Sequence, residues 1–268
     1  MTTELNTDPS NMPITQETTS RQTGWITFSK VIAGFIPLFL ILQFGPSLLL
    51  PRLDQTWSVL IAAGVMLCLA VVGEMLFFKH RPVQALRQLG FGQPKRRAIT
   101  VALILSGVML LFFPVLSLVS GASLSLNGDW LWTLVGILAF NGLAEETLFR
   151  GYAFGHLRQG SSFLRAGFIS LLLFAGAHLF LFLGNPFIIA LAGTLVAVTA
   201  AFPMAYLFER GGSTVWAPVL LHAATHLIRL VAIPEDLYMP AVTAWLVMQI
   251  FLPLLVFVFR RYLKDEGI

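Results

Sequence analysis

The sequence predicts an all-α, polytopic membrane helix bundle of about eight transmembrane helices, with both termini in the cytoplasm. Three observations lead to this prediction: the composition, the length of the apolar runs, and the distribution of basic residues among the loops. Hydrophobic residues make up 57% of the 268 residues and charged residues 11%, against roughly 45–50% and about 25% in soluble domains. Most of the chain is therefore expected to lie in lipid.

The apolar runs have the length of membrane spans. A bilayer core takes about 20 apolar residues per helix, and breaks at proline, glycine and charge clusters divide the chain into segments of that size. The runs are uniformly apolar rather than alternating, which favours helices over the strands of an outer-membrane barrel. Residues 25–268 are thus expected to form one transmembrane domain. The predicted spans are 26–50, 57–78, 98–120, 131–157, 162–183, 187–208, 213–233 and 239–261.

The first 24 residues, "MTTELNTDPSNMPITQETTSRQTG", are polar and have few large apolar side chains. Such a segment buries too little surface to offset the entropy of ordering, so we expect a disordered tail. It also lacks the basic and apolar regions of a secretory signal peptide. The first membrane span is therefore expected to be retained.

Basic residues set the orientation. The connection after the second span, "KHRPVQALRQLGFGQPKRR", holds six Lys or Arg residues, whereas the loops "PRLDQT", "GASLSLNGD", "GNP" and "PEDLYMP" hold one among them. Basic loops lie on the cytoplasmic side of membrane proteins, which also suits the terminal "RRYLKDEGI". This topology accounts for the net charge of +4, so no nucleic-acid partner is expected.

One apolar stretch, "LAEETLFRGYAF" at residues 143–154, contains three charged residues: Glu145, Glu146 and Arg150. A charge in the middle of a membrane helix costs about 2.5–3.5 kcal/mol on insertion scales. Glu146 and Arg150 are four residues apart, which lets them pair on a helix. Glu145 points about 100° away and is left for another partner. The alternative interpretation is that the three residues cap the cytoplasmic end of the fourth span.

Three of the five histidines also fall in predicted spans: His178, His222 and His226. Counted along the helices, Glu145 and these histidines lie roughly 14–24 Å from the cytoplasmic side, in one layer. His222 and His226 share a helix face. The neighbouring residues are small, which permits the close helix approach that a tight polar site needs.

Three motifs occur in order: "EETLFR" fits EExxxR, Phe174 to His178 fits FxxxH, and "LFERGGSTVWAPVLLHAATH" is similar to a final conserved block. Together they resemble the CPBP family of intramembrane proteases, which includes the type II CAAX prenyl endopeptidases and bacteriocin-processing or immunity relatives. The resemblance covers about residues 130–233. It implies that Glu145 and His178 activate a water.

The resemblance also implies that His222 donates to the oxyanion, with Glu146, Arg150 and Phe174 in supporting positions. The sequence departs from the family at position 226, where the usual Asn is His. An imidazole N–H can still donate a hydrogen bond, so His226 is placed with the catalytic residues and its role is left open.

The residue types fit amide hydrolysis, which needs a base for water, a donor for the oxyanion and an acid for the leaving amine. No serine in a nucleophile elbow and no cysteine near a histidine indicates a covalent mechanism. His222 and His226 have the spacing of two zinc ligands, but the glutamate of HExxH is missing between them. A divalent metal such as zinc, held by these histidines with His178 and Glu145, stays open, as does the choice between a glutamic protease and a metalloprotease.

The leading hypothesis is an intramembrane endopeptidase that cleaves a membrane-embedded or lipidated protein or peptide, in CAAX-type or bacteriocin- or leader-type processing. The short chain favours a bacterial inner membrane. A non-catalytic scaffold or immunity protein of the same fold is one alternative. A proton-coupled transporter is another, although the sequence shows no internal hydropathy repeat.

Three other polar residues lie in or near the predicted spans, and one of them, Arg229, has two interpretations. Arg229 lies on the face of His222 and His226, where it can bind a substrate carboxylate or turn outward to an acidic residue at 235 or 236. Glu74 is expected to pair with Lys79 or His80, and His156 is expected at the membrane interface.

Overall fold

The computed structural model describes residues 14–48 and 53–264, with side chains for 28–47 and 53–264. Nearly all of the described chain is helical. The α-helices are α1 (Ile14–Leu48), α2 (Gln55–Phe77), α3 (Pro82–Gln88), α4 (Arg96–Leu110), α5 (Phe112–Ser120), α6 (Trp130–Gly136), α7 (Gly155–Gln159), α8 (Phe163–His178), α9 (Leu181–Gly184), α10 (Phe187–Arg210), α11 (Trp216–Thr225), α12 (Glu235–Phe251) and α13 (Arg260–Leu263). The remaining elements are π-helices at Ile137–Ala144 and Thr147–Phe154, 3₁₀ helices at Leu227–Leu230 and Leu252–Phe257, and strands β1 (Ser125–Leu126) and β2 (Val231–Ala232).

The predicted all-α membrane bundle is confirmed. Six helical segments of the described chain are long and apolar enough to cross a membrane, and each matches one of the predicted spans. Polar caps start two of the helices inside them, since Asp54 accepts the backbone N–H of Trp57 and Ser162 accepts that of Arg165. The six segments are Phe28–Ser47, Gln55–Phe77, Arg96–Ser120, Phe163–Gly184, Phe187–Arg210 and Glu235–Phe257.

The predicted spans 131–157 and 213–233 are not among these six. The first lies in a continuous helical stretch from residue 130 to 159, and the second is α11 followed by a 3₁₀ turn and β2. Much of each segment is inside the bundle: every residue from Thr147 to Phe154 is buried, as are seven of the ten residues of α11. Helices surrounded by protein can carry charges and irregular turns that lipid-facing helices avoid.

The first helix begins earlier than the first predicted span. Residues 1–13 of the predicted polar tail lie outside the described part of the chain, but residues 14–24 lie in α1. Extending an existing helix adds one hydrogen bond per residue, so an apolar span can continue into polar sequence at little cost.

Two large apolar clusters form most of the core of the described residues, and α11 contributes to both. The first joins α1, α2, the second π-helix, α8 and α10. The second joins α4, α10, α11 and α12 around Trp245. Leu221 of α11 packs in the second cluster, whereas Val219 belongs to the first. Because α11 lies between the clusters, its polar side chains reach the middle of the bundle.

A short two-stranded pairing ties the loop before α6 to the end of α11. Ser125 pairs with Ala232 and Leu126 with Val231 in antiparallel register. The Asn127 side-chain amide also donates to the carbonyl of Arg229 at 2.9 Å. This pairing, which sequence patterns did not indicate, fixes the position of Arg229 relative to α6.

Glycine permits the close approach of α3 to the second π-helix. A Cβ at Gly151 would collide with the backbone carbonyl of Leu89, immediately after α3. A Cβ at Gly155 would meet Gln88 only at ordinary contact distance. In this GxxxG spacing it is therefore Gly151 that close packing inside the bundle requires.

Candidate active site

The two adjacent glutamates lie between π-helical turns. The backbone N–H of Glu145 bonds to the carbonyl of Phe140, and that of Gly155 bonds to the carbonyl of Arg150. Both bonds span five residues rather than four. Such turns are rare and are frequent at functional sites. The sequence carries no reliable signal for them, so the exact direction of each glutamate was not predictable.

Glu146 is at the centre of a buried ion network. Its Oε1 accepts from Nη1 of Arg150 at 2.9 Å, which is the pair predicted from their spacing. The same oxygen lies 2.6 Å from Nδ1 of His222, a contact that the sequence did not predict. The side chain of Glu146 is fully buried, and that of Arg150 is 2% exposed. Each partner thus offsets the desolvation of the others.

The aromatic ring of Phe174 covers this network. The guanidinium carbon of Arg150 lies 4.4 Å from the ring centroid, within the range of a cation–π contact. The ring also packs edge-on against His178, with centroids 4.6 Å apart. Phe174 therefore packs against both the cation and a predicted catalytic histidine.

Glu145 has a different environment from its neighbour. Its Oε1 accepts from the side-chain amide of Asn141 at 3.0 Å. Its Oε2 lies 3.9 Å from Nε2 of His222. The carboxylate is 14% exposed and lines a cavity, whereas Glu146 is sealed. The two glutamates therefore face different surroundings, consistent with the roughly 100° between their directions on a helix.

His178 is fixed by its own helix. Its Nδ1 lies 2.8 Å from the carbonyl oxygen of Phe174. Because a carbonyl only accepts, Nδ1 carries the proton and Nε2 is left with a lone pair when the ring is neutral. His178 and Glu145 line the same cavity, but the described structure gives them no direct hydrogen bond. The histidine nearer to Glu145 is His222.

The end of α11 positions His226. The carbonyl of Thr225 accepts from the indole N–H of Trp245 at 2.7 Å and from the amide of Gln249 at 3.1 Å. The rings of His222 and His226 are 5.3 Å apart between centroids. Two residues of α12 therefore hold the helix end from which His226 reaches the cavity.

The cavity has a volume of about 320 Å³ and brings together the four predicted catalytic residues. Most of its wall is apolar, as in small-molecule and peptide sites. Its lining comprises Phe39, Leu42, Gln43, Phe140, Asn141, Glu145, Phe149, Arg150, Phe174, Ala177, His178, Leu181, Gly193, Val196, Ala197, Ala200, Met204, His222, Thr225, His226 and Gln249.

The described side chains do not form the zinc site that the sequence left open. Nδ1 of His178 and Nδ1 of His222 are engaged by Phe174 and Glu146, which leaves Nε2 as the one nitrogen of each ring that could bind a metal. Among the side chains of residues 28–47 and 53–264, no three His, Cys, Asp or Glu groups converge as metal ligands. A tetrahedral zinc site needs three or four converging ligands.

A second buried cluster lies outside this cavity. Glu74 is fully buried and lies 2.8 Å from Nδ1 of His80, the predicted partner, and 2.6 Å from Nε2 of His156. His156 is 2% exposed and stacks on Phe78 at 3.9 Å. His156 is thus buried against the carboxylate of Glu74, beside the basic connection that holds His80, and its depth in the membrane stays a prediction.

Comparison with known proteins shows that part of the chain matches a protein family. Residues 127–228 match the family model described as type II CAAX prenyl endopeptidase Rce1-like. This segment belongs to the CPBP family of membrane proteases. The Rce1-like segment contains all seven residues predicted for the site and nearly coincides with the predicted core of 130–233. None of the curated proteins and none of the solved structures compared with the chain matches it. This match and the six apolar helices together indicate a multi-pass integral membrane protein.

Proposed function

We propose that this protein is an intramembrane endopeptidase that hydrolyses a peptide bond by water activated at Glu145. The observation that carries the proposal is the contrast between the two adjacent carboxylates. Glu145 faces an apolar cavity with three histidines around it, while Glu146 is sealed beneath and paired. A general base must reach water, and a structural counter-ion need not.

The attacking water belongs between Glu145 and His222. Their facing atoms, Oε2 and Nε2, are 3.9 Å apart. Two hydrogen bonds of about 2.8 Å that meet near a right angle span about this distance, so one water can contact both groups. Glu145 takes a proton from the water while its oxygen attacks the scissile carbonyl carbon. Asn141 fixes the other carboxylate oxygen and so keeps Oε2 turned to the cavity.

The histidines serve the later charges of the reaction. His222 donates Nδ1–H to the carboxylate of Glu146, which stabilises the imidazolium form of the ring. In that form Nε2–H can donate to the oxyanion, and an N–H of His226 supplies a second donor. The proton taken by Glu145 passes to the amide nitrogen as the C–N bond breaks, directly or through Nε2 of His178. These roles use only the protein's own side chains.

The apolar wall indicates a substrate that enters from lipid. Membrane-embedded or lipidated proteins and peptides have this character. The family match supports a CAAX-type substrate, and a leader-type substrate is the alternative. We also propose the inner membrane of a bacterium as the location.

The test is co-expression of the full chain with candidate membrane peptides, with mass spectrometry of the products. Glu145→Gln keeps the shape of the side chain and removes the base, so product formation should fall by about 10²–10⁴-fold at equal folded yield. Glu235→Gln, which changes an exposed glutamate of α12, should leave cleavage unchanged. The same products from the wild type and a folded Glu145→Gln chain would contradict the proposal and favour the non-catalytic scaffold.

A further inference from the structure

A second cavity lies beside the active site. It has a volume of about 580 Å³ and is formed by the start of α2, by α6 and by the turn after α11. We call it the vestibule. Its lining comprises Asp54, Gln55, Thr56, Trp57, Val59, Asp129, Trp132, Thr133, Gly136, Phe140, Asn141 and Arg229.

Arg229 is the cation of this vestibule. Of the two interpretations drawn from the sequence, the outward ion pair is absent: within the described chain, the side chain of Arg229 contacts neither Glu235 nor Asp236 at ion-pair distance. Its polar side-chain partner there is the neutral Asn141, whose Oδ1 accepts from Nη1 at 3.4 Å. A guanidinium with five donors and one long hydrogen bond retains the capacity for a carboxylate.

The two acidic residues of the vestibule are engaged elsewhere. Asp54 accepts the backbone N–H of Trp57 at the start of α2, at 3.0 Å. Asp129 accepts from the hydroxyl of Thr133 in the first turn of α6, at 3.2 Å. Negative charge at a helix N-terminus is partly offset by the helix dipole. Each carboxylate thus caps or supports its own helix, and among the described residues neither lies within ion-pair distance of Arg229.

A single carboxamide links Arg229 to the proposed base. Asn141 accepts from Arg229 through Oδ1 and donates to Glu145 through Nδ2. Phe140 and Asn141 line both cavities, so the vestibule begins where the active-site cavity ends. An extended peptide advances about 3.3–3.6 Å per residue, so a chain that reaches from Glu145 past this carboxamide to Arg229 spans about two to three residues.

We propose that Arg229 binds a carboxylate of the substrate, two to three residues from the scissile bond, with apolar side chains against the vestibule wall. This inference rests on the proposed function for the identity of the ligand as substrate. The wall suits apolar residues, since Trp57 and Trp132 pack there with ring centroids 5.9 Å apart and Val59 and Phe140 extend the surface. The carboxylate comes from a free C-terminus or from an acidic side chain, and the two sources are separable by experiment.

The test measures binding without turnover. The full chain carrying Glu145→Gln is titrated in detergent micelles with three dansyl-labelled probes: Leu-Val-Leu with a free C-terminal carboxylate, the same peptide as C-terminal amide, and Leu-Asp-Leu amide. We expect at least one carboxylate probe to bind about tenfold or more tightly than the Leu-Val-Leu amide. Preference for the first identifies a C-terminal carboxylate, and preference for Leu-Asp-Leu amide identifies a side chain.

Three further substitutions, each made in the Glu145→Gln chain, test whether the preference for a carboxylate depends on Arg229. Arg229→Gln should abolish the difference between acid and amide, and Arg229→Lys should retain part of it. Arg165→Gln, which removes the same charge from the exposed start of α8, should leave it intact. Equal binding of all three probes, or an acid preference that survives Arg229→Gln in a folded chain, would overturn the inference.

The outcome is separable from that of the proposed function. If carboxylate binding depends on Arg229 but no cleavage depends on Glu145, the carboxylate site is supported and the proposed protease activity is contradicted. If cleavage depends on Glu145 but no probe with a carboxylate is preferred, the protease activity is supported and the carboxylate site is contradicted.

Discussion

Nδ1 of His222 lies 2.6 Å from Oε1 of Glu146. The second glutamate of the EExxxR motif therefore binds two groups: Arg150 and the imidazole of His222, which is proposed for catalysis. The motif therefore joins two tasks in adjacent residues. One carboxylate faces the cavity, and the other orients and charges the groups around it.

Separate replacement of Glu146 and its cation distinguishes these tasks. Glu146→Gln leaves the guanidinium of Arg150 buried without a counter-ion, which costs about 3–5 kcal/mol, so folded yield and activity should both fall. Glu146→Gln combined with Arg150→Met removes both charges and should recover most of the yield, while activity stays low because His222 lacks its anionic partner.

Fluorescence-detected size exclusion and a thermal shift measure the yield and stability of both chains. Glu209→Gln is the matched control: it breaks the partly exposed pair with Arg158 and should cost at most about 1 kcal/mol. Full activity in the folded double variant would show that Glu146 has no part in positioning His222.

The histidine at position 226 can be exchanged for the asparagine usual in the family. If His226 donates to the oxyanion, His226→Asn should keep activity within about tenfold, since a side-chain amide donates a hydrogen bond of similar length. A chelator should have no effect on the wild type, because the proposed roles involve no metal. An inactive but folded His226→Asn chain, beside a wild type that loses activity reversibly with chelator, would replace this mechanism with a metal-dependent one.

Gly151 supports the site through packing. In Gly151→Ala the new methyl group meets the backbone carbonyl of Leu89, which cannot move aside as a side-chain end can. We expect destabilisation of about 1–3 kcal/mol, measured as a lower midpoint in a thermal shift. Gly107→Ala in α4 adds the same methyl group where no atom lies within 4 Å and should be neutral or slightly stabilising. Equal midpoints for the two variants would contradict the packing argument.

The membrane orientation stays a prediction and is open to labelling. In a Cys68→Ala background, a cysteine at Gly128 or at Asp236 should react with an impermeant thiol reagent added outside intact cells. A cysteine at Gln93, in the basic connection, should react only after the membrane is opened. All three positions lie in loops or at helix starts. Labelling of the Gln93 position from outside would contradict the predicted orientation.

Sequence reasoning predicted the fold class, and it singled out residues that line one cavity, for identifiable reasons. Charges in apolar segments are costly, so Glu145, Glu146 and the three histidines were conspicuous, and regular spacing predicted the Glu146–Arg150 pair. Contacts between distant segments left no such trace. The Glu146–His222 and Glu74–His156 bonds join residues that are 76 and 82 positions apart. The β1–β2 pairing involves strands of only two residues, which are too short to show a pattern. The π-turns change the direction of side chains without changing the composition.

The bond between Glu74 and His156 has a consequence for the biogenesis of the protein. The two residues are 82 positions apart in the sequence, and Glu146 and His222 are 76 positions apart. During synthesis, α2 and the helical stretch from 130 to 159 enter the membrane before these partners exist. Until then each carboxylate has only a partner that is near in sequence, His80 for Glu74 and Arg150 for Glu146. Charge compensation is therefore completed only when the later helix packs, and a nascent chain that stops short of α11 leaves Glu146 with Arg150 alone.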